Sequence, residues 1–259
     1  MSKEESAARR HQEEISIPGS ASLEESVHST SNDVLLAVAA DPSLGEDLAL
    51  TLLRRRDLQA QVLERLSKNS AVMKYRRVKM GLAANPRTPR HVALAILRHL
   101  FTFDLMQVAL TPAVPADIKM AADEALINRL ETTPSGERSS LAHRASGQVA
   151  GVLLLDLDRR VIEAALLNPR LTEAAIFKAI TRADASAALV EAVCRHAKWS
   201  LRREIRGALL RSEHTPPERA LEFARSLPVE TVREILHGSQ LPDEVKSCME
   251  RELEVRLNP

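Results

Sequence analysis

The chain has 259 residues and a net charge of +1, the balance of 36 basic and 35 acidic groups, which argues against a dedicated polyanion binder while leaving room for a local basic face. Its 44% apolar content suffices for a core, yet no apolar run approaches the roughly 20 residues that cross a bilayer. Aromatic residues make up only 2%, too few for stacking platforms on single-stranded nucleic acid, and the two cysteines, Cys194 and Cys248, lie too far apart in sequence to suggest a disulfide framework.

Residues 1–31 are polar, rich in Ser and Glu, and lack periodic apolar positions, so they read as a disordered arm. They also lack the apolar stretch of a secretory signal, which with the reduced cysteines leads us to expect a cytoplasmic protein. From Asn32 onward apolar residues recur at spacings of three and four, as in Leu48, Leu52 and Val92, Ile96, the period of a helix facing a core. No stretch alternates like a strand, so an all-α protein is expected.

Residues 32–132 form a first half that repeats in residues 160–259. At a shift of 127 residues, Asp33–Glu131 lies on Arg160–Asn258 without a gap, placing Pro42 on Pro169, Glu46 on Glu173, Asp57 on Asp184 and Thr88-Pro89 on Thr215-Pro216. A finer repeat sits inside: Val34–Leu53, with Ala39-Ala40-Asp41-Pro42, matches Val78–Leu97, with Ala83-Ala84-Asn85-Pro86, and the turn recurs at Leu110–Pro115. Each half therefore predicts three helix–turn–helix units plus an additional helix, near Leu58–Ser67 and its counterpart Ala185–His196. Asn85-Pro86 should stop one helix, because proline cannot donate and the residue before it avoids the α region. Thr88 should then cap the next helix, with Pro89 at its first position, and Thr215-Pro216-Pro217-Glu218 should do the same with a capping box. Asp57 reads as the cap of the helix that follows it, and Glu46 and Glu173 as acidic first-turn residues.

Residues 133–159 have no counterpart in the first half. Thr133-Pro134-Ser135-Gly136 signals a loop, and Glu137–Leu155 reads as one helix with Gly147 and Gly151 four apart. Two readings stand: a bridging helix packed closely at its small residues, or an insertion that serves as a hinge or a partner-docking element. One helix pair cannot bury its apolar stripe alone, so stacking of pairs is expected.

The repeating turn, as in Leu82-Ala83-Ala84-Asn85-Pro86-Arg87-Thr88-Pro89 and Leu166-Leu167-Asn168-Pro169-Arg170-Leu171-Thr172, resembles bacterial HEAT-like and leucine-rich-repeat-variant proteins. That resemblance implies a right-handed α-solenoid, here of about six helix-pair units in two duplicated halves. The cysteine cluster that holds an iron–sulfur centre in the prototype variant protein has no match, since residues 1–31 contain no cysteine. The HEAT-like class also includes DNA glycosylases that grip duplex on a basic, aromatic concave face, whereas this chain has a single tryptophan, Trp199.

No phosphate-cradling glycine loop, nucleophile elbow or zinc-binding His-Glu-x-x-His pattern occurs. We assign no catalytic, cofactor-binding or metal-ligating residues. Cys194 and His196, two apart, fall on different helix faces and read as a core-edge thiol and its neighbour. The informative polar set is basic. Arg76 and Lys79 share one helical face, and Arg203 and Arg206 reproduce it one half later. Either long basic stems cover seams between repeats and pair with carboxylates, or they form a stripe that holds a partner. The expectation is a non-enzymatic scaffold that binds a protein or peptide on its concave face. The alternative is a binder of the nucleic-acid backbone, in the manner of the glycosylase-like members of the class.

Overall fold

The computed structural model describes residues 20–257. Among the described residues all regular structure is helical: 18 α-helices, two short 3₁₀ turns and no strand. The chain divides into two compact units, Met1–Leu100 and Phe101–Pro259. The first contains α1 (Ser20–Ser26), α2 (Asn32–Ala40), α3 (Glu46–Arg54), α4 (Ala60–Ser67), α5 (Ser70–Met73), α6 (Arg76–Ala84) and α7 (Arg90–Leu97). The second contains α8 (Thr102–Leu110), α9 (Ala116–Ile127), α10 (Ser135–Arg144), α11 (Gly147–Leu153), α12 (Arg159–Leu166), α13 (Glu173–Ile180), α14 (Ala187–Arg195), α15 (Arg203–Leu209), α16 (Pro217–Ser226), α17 (Val229–His237) and α18 (Asp243–Leu257).

Helices pack both on the next element and on the one two places along. In the first unit α2 lies on α4 and α6 joins α3 to α7; in the second, α10, α12 and α14 make one row and α9, α11, α13 and α15 another. Each helix buries one stripe. Leu35 and Val38 of α2, Val62, Leu63 and Leu66 of α4, and Val78 and Leu82 of α6 are all buried. Their equivalents at a shift of 127, which include Ile162, Leu189, Val190, Val193, Ile205 and Leu209, are buried too. Helix starts follow the same shift: α3 begins at Glu46 and α13 at Glu173, α8 at Thr102 and α17 at Val229.

The turns work differently from the sequence expectation. Thr88 does not cap α7, whose N-cap position is Pro89. Its buried hydroxyl instead donates backward to the Leu82 carbonyl at 2.7 Å, and Thr215 donates to the Leu209 carbonyl at 2.6 Å. Each threonine therefore gives a second donor to a carbonyl in the last turn of the preceding helix, which also accepts from the Asn85 or Ser212 N–H, and no capping box forms with Glu218. The Asn-Pro and Asp-Pro turns are closed by their own side chains: Arg87, Arg170 and Ser43 donate backbone N–H groups to Asn85, Asn168 and Asp41. Asn168, buried, reaches further, and its amide donates to the Ala142 and Ala145 carbonyls at 2.8 and 3.1 Å. Asp57 caps no helix. It pairs with Arg55, as Asp184 pairs with Arg182, while Gln59 holds the cap position of α4.

Two further expectations need correction. The proposed arm, residues 1–31, is helical at α1, with Leu23 and Val27 buried; Arg55 fastens its end by donating to the Val27 and Ser29 carbonyls at 2.6 and 2.7 Å. The expectation for residues 1–19 lies outside the described residues. The single helix expected over Glu137–Leu155 is two, α10 and α11, because Ala145 is extended and Ser146 caps α11 through the Val149 N–H. Gly147 sits where a Cβ would lie 2.3 Å from the Arg170 carbonyl oxygen, and at Gly151 one would meet Ala175 at 3.4 Å. These positions agree with the close-packing reading of the two glycines.

Candidate functional site

Arg76 and Lys79 lie in the first turns of α6, Arg203 and Arg206 in those of α15. Arg76 and Arg203 are exposed; Lys79 and Arg206 are half-buried. Equivalent in sequence, Lys79 and Arg206 have different surroundings. Arg206 donates through Nε to the Ser200 carbonyl at 2.7 Å, and its guanidinium lies 5.7 Å from the centre of the Phe223 ring. It ties the 3₁₀ turn Trp199–Leu201 and α16 to α15, a structural task. The Lys79 ammonium makes no hydrogen bond or ion pair among the described residues.

Lys79 opens onto a cleft of about 340 Å³ formed by α4, α6 and α7. Its floor is apolar, with Val92 and Ile96 buried and Met73 of α5 beside them; its rim carries the exposed Ala95 with Lys68, Lys79, His91, His99 and Glu64. Glu64 is engaged from both sides, by Lys68 at 2.8 Å and by His91 Nε2 at 4.0 Å. The Lys68 ammonium holds its carboxyl below the usual carboxylate range. The cleft of about 320 Å³ between α17 and α18 differs: Arg233, His237, Glu250 and Glu254 wall it with charges of both signs.

In the second copy the corresponding space is bridged. Arg219 stands where Val92 does in the first, and Phe223 where Ile96 does. The Arg219 guanidinium donates to the Cys194 carbonyl at 2.5 Å, pairs with Glu222 and lies 4.9 Å from the Phe223 ring centre, spanning α14 to α16. Valine cannot span that gap, so the first copy stays open. The Glu64–Lys68 pair recurs as Glu191–Arg195 at 2.9 Å, which shows how closely the two frames otherwise agree. Both copies also silence the same carbonyl by different donors. Asn69 donates to Ala39 at 3.1 Å in the first, and the Trp199 indole donates to Leu166 at 2.9 Å in the second.

The charge of the segment that carries the open cleft is lopsided. Between Asp57 and Asp104 the chain holds nine Lys or Arg residues and one acid, Glu64; the equivalent stretch 185–230 holds eight and six. Eight of those nine are exposed, and the ninth is Lys79. Whole-chain net charge hides this segregation, whereas a count between Asp57 and Asp104 finds it. Reading the sequence by conserved positive charge found Lys79 but missed the cleft, because Val92 and Ile96 look like ordinary core positions.

Two potentially reactive side chains lie close together near the end of α14, Cys194 and His196. Burial pushes the Cys194 thiol up to about 11, so it stays protonated at neutral pH, and burial beside Lys198 lowers the pKa of His196. Among the described residues no group of three or more His, Cys, Asp or Glu side chains is placed to hold a metal, and no helix is long and apolar enough to cross a membrane.

Compared with known proteins, the chain matches no family model, no curated sequence and no solved structure. The likeness to HEAT-like and leucine-rich-repeat-variant proteins therefore rests on the turn residues alone.

Proposed function

We propose that the protein is a helical-repeat scaffold of the α-solenoid kind whose first unit captures a segment of a partner protein in the cleft of α4, α6 and α7. The observation that carries this reading is the contrast between copies, one cleft open and its equivalent bridged by Arg219 and Phe223. Two copies of one frame face the same folding demands, so folding alone does not call for the open space. Stacked helix pairs hold such a groove rigidly, which limits the entropy lost when a peptide is ordered against it. The reading assigns the protein no chemical step. Its two free cysteines fit a reducing compartment, and we place it in the cytoplasm.

A random-peptide display selection against the full chain tests the reading. Binders should emerge whose affinity falls in Lys79→Glu and is unchanged in Arg203→Glu, the exposed basic position of the second copy. Failure to enrich any binder would remove peptide capture, as would binders weakened only by Arg203→Glu. The basic stretch 58–103 favours one second reading, contact with a nucleic-acid backbone, whose signature is a steep fall in affinity with salt.

A further inference from the structure

We infer that the cleft of the first unit selects an acidic peptide, one in which an apolar side chain is flanked by carboxylates. This inference rests on the peptide-capture reading and adds the chemistry of the ligand.

Two independent observations point there. The first is charge complementarity. The only acid within stretch 58–103, Glu64, is already engaged by Lys68, and Lys79 reaches the cleft with no partner among the described residues. A peptide carboxylate is the group that completes Lys79, and the basic excess of the segment that carries the cleft favours acidic flanks over basic ones. The second is the filled copy, which shows what the frame accepts. There the position of Ile96 carries the Phe223 ring, and Glu222, at the position of Ala95, pairs with Arg219. The second unit thus supplies from its own chain a large apolar group beside a carboxylate. In the first unit Ile96 is smaller than phenylalanine and Ala95 is uncharged, which leaves room there for an apolar group and a carboxylate from a ligand.

The apolar floor decides between a protein segment and a nucleic acid. Val92 and Ile96 offer an anchor pocket for a side chain, and a phosphate backbone has no group to place in it. With so few aromatic residues the surface is also poorly equipped to stack bases.

Fluorescence anisotropy on the full chain tests the inference with three labelled probes: a phenylalanine flanked by glutamates, the same peptide with serine in place of the phenylalanine, and the phenylalanine flanked by serines. The first should bind, and the other two at least about tenfold more weakly. Ala95 is exposed on α7, so its variants should fold, with circular dichroism as the check. Ala95→Glu, which places the carboxylate of the second copy in the first, should weaken the acidic probe at least about tenfold, and Ala95→Lys should hold or strengthen it. Equal binding of the serine-flanked probe, or no effect of Ala95→Glu, overturns the acidic preference and leaves peptide capture standing. Absence of binding by all three probes and by display-selected peptides removes both. Displacement of the acidic probe by duplex DNA assigns the surface to a nucleic-acid backbone instead.

Discussion

Single side chains close the ends of helices in this protein, and the bonds they make set the cost of losing them. Asn168 is buried, and its amide satisfies two carbonyls at the end of α10 while its oxygen closes the turn before α13. Asn168→Ala leaves those groups unpaired and should cost about 2 kcal/mol of unfolding free energy in a urea titration. Arg206 and Lys79 provide a paired case. Arg206→Ala removes the bond to Ser200 and the packing on Phe223, and should cost about 1.5–3 kcal/mol. Lys79→Ala, at the equivalent position, should stay within about 0.5 kcal/mol of the wild type. A larger loss for Lys79→Ala than for Arg206→Ala would mean that the two roles had been assigned the wrong way round. Asp123 on α9 is buried, and its Oδ1 has no hydrogen-bond partner among the described residues. Burial raises its pKa, so its contribution to stability is present below the ordinary carboxylate range and is lost as pH rises through the raised folded value. Asp123→Asn should therefore be more stable than the wild type at neutral pH, and the difference should shrink as pH falls. Unfolding midpoints of both proteins across a pH series check the sign.

Elements were more legible than their boundaries. The 3.6-residue period marked helices and their buried stripes from Asn32 onward, and Leu35, Val62, Leu66 and Val78 lie where that period puts them. The turns were placed correctly but explained by the wrong bonds. Threonine before proline carries a cap signal in sequence, yet a hydroxyl can serve either the helix ahead or the one behind. Only the fold shows that Thr88 and Thr215 serve the one behind. Likewise Glu137–Leu155 looks continuous because nothing in Ala145-Ser146 forbids a helix; the structure breaks it at the extended Ala145, and α11 then starts hard against the Arg170 turn. Gly147 is required there, so Gly147→Ala should lower stability by about 1–3 kcal/mol. Gly136→Ala, with nothing within 4 Å of the added methyl, should be neutral or slightly stabilising. Thermal melts of the two variants separate contact from propensity. The helix α1 escaped the sequence reading because its anchors, Leu23 and Val27, are too few to show a period, and its tether, Arg55, lies 28 residues from Val27.

For the molecule as a whole, the shift of 127 residues was visible in sequence and shared by the helices, while the candidate site lies in what the two copies do not share. Alignment of like with like selects Arg76 with Arg203 and Lys79 with Arg206, and so directs attention to positions that kept their charge. The departures, Val92 against Arg219 and Ala95 against Glu222, are what leave one cleft open and the other bridged. Their meaning depends on which side chains meet across three helices, and this is not encoded in any local pattern. Exposed pairs such as Arg225–Glu252 and Arg159–Glu163 contribute little beyond solvation of the surface, so salt should barely change stability while it weakens ligand binding. Hydrogen exchange of the full chain, with and without saturating acid-flanked phenylalanine peptide, bears most directly on the account. It predicts slowed exchange confined to α4, α6 and α7; slowing centred on α14, α15 and α16, or none, would contradict it.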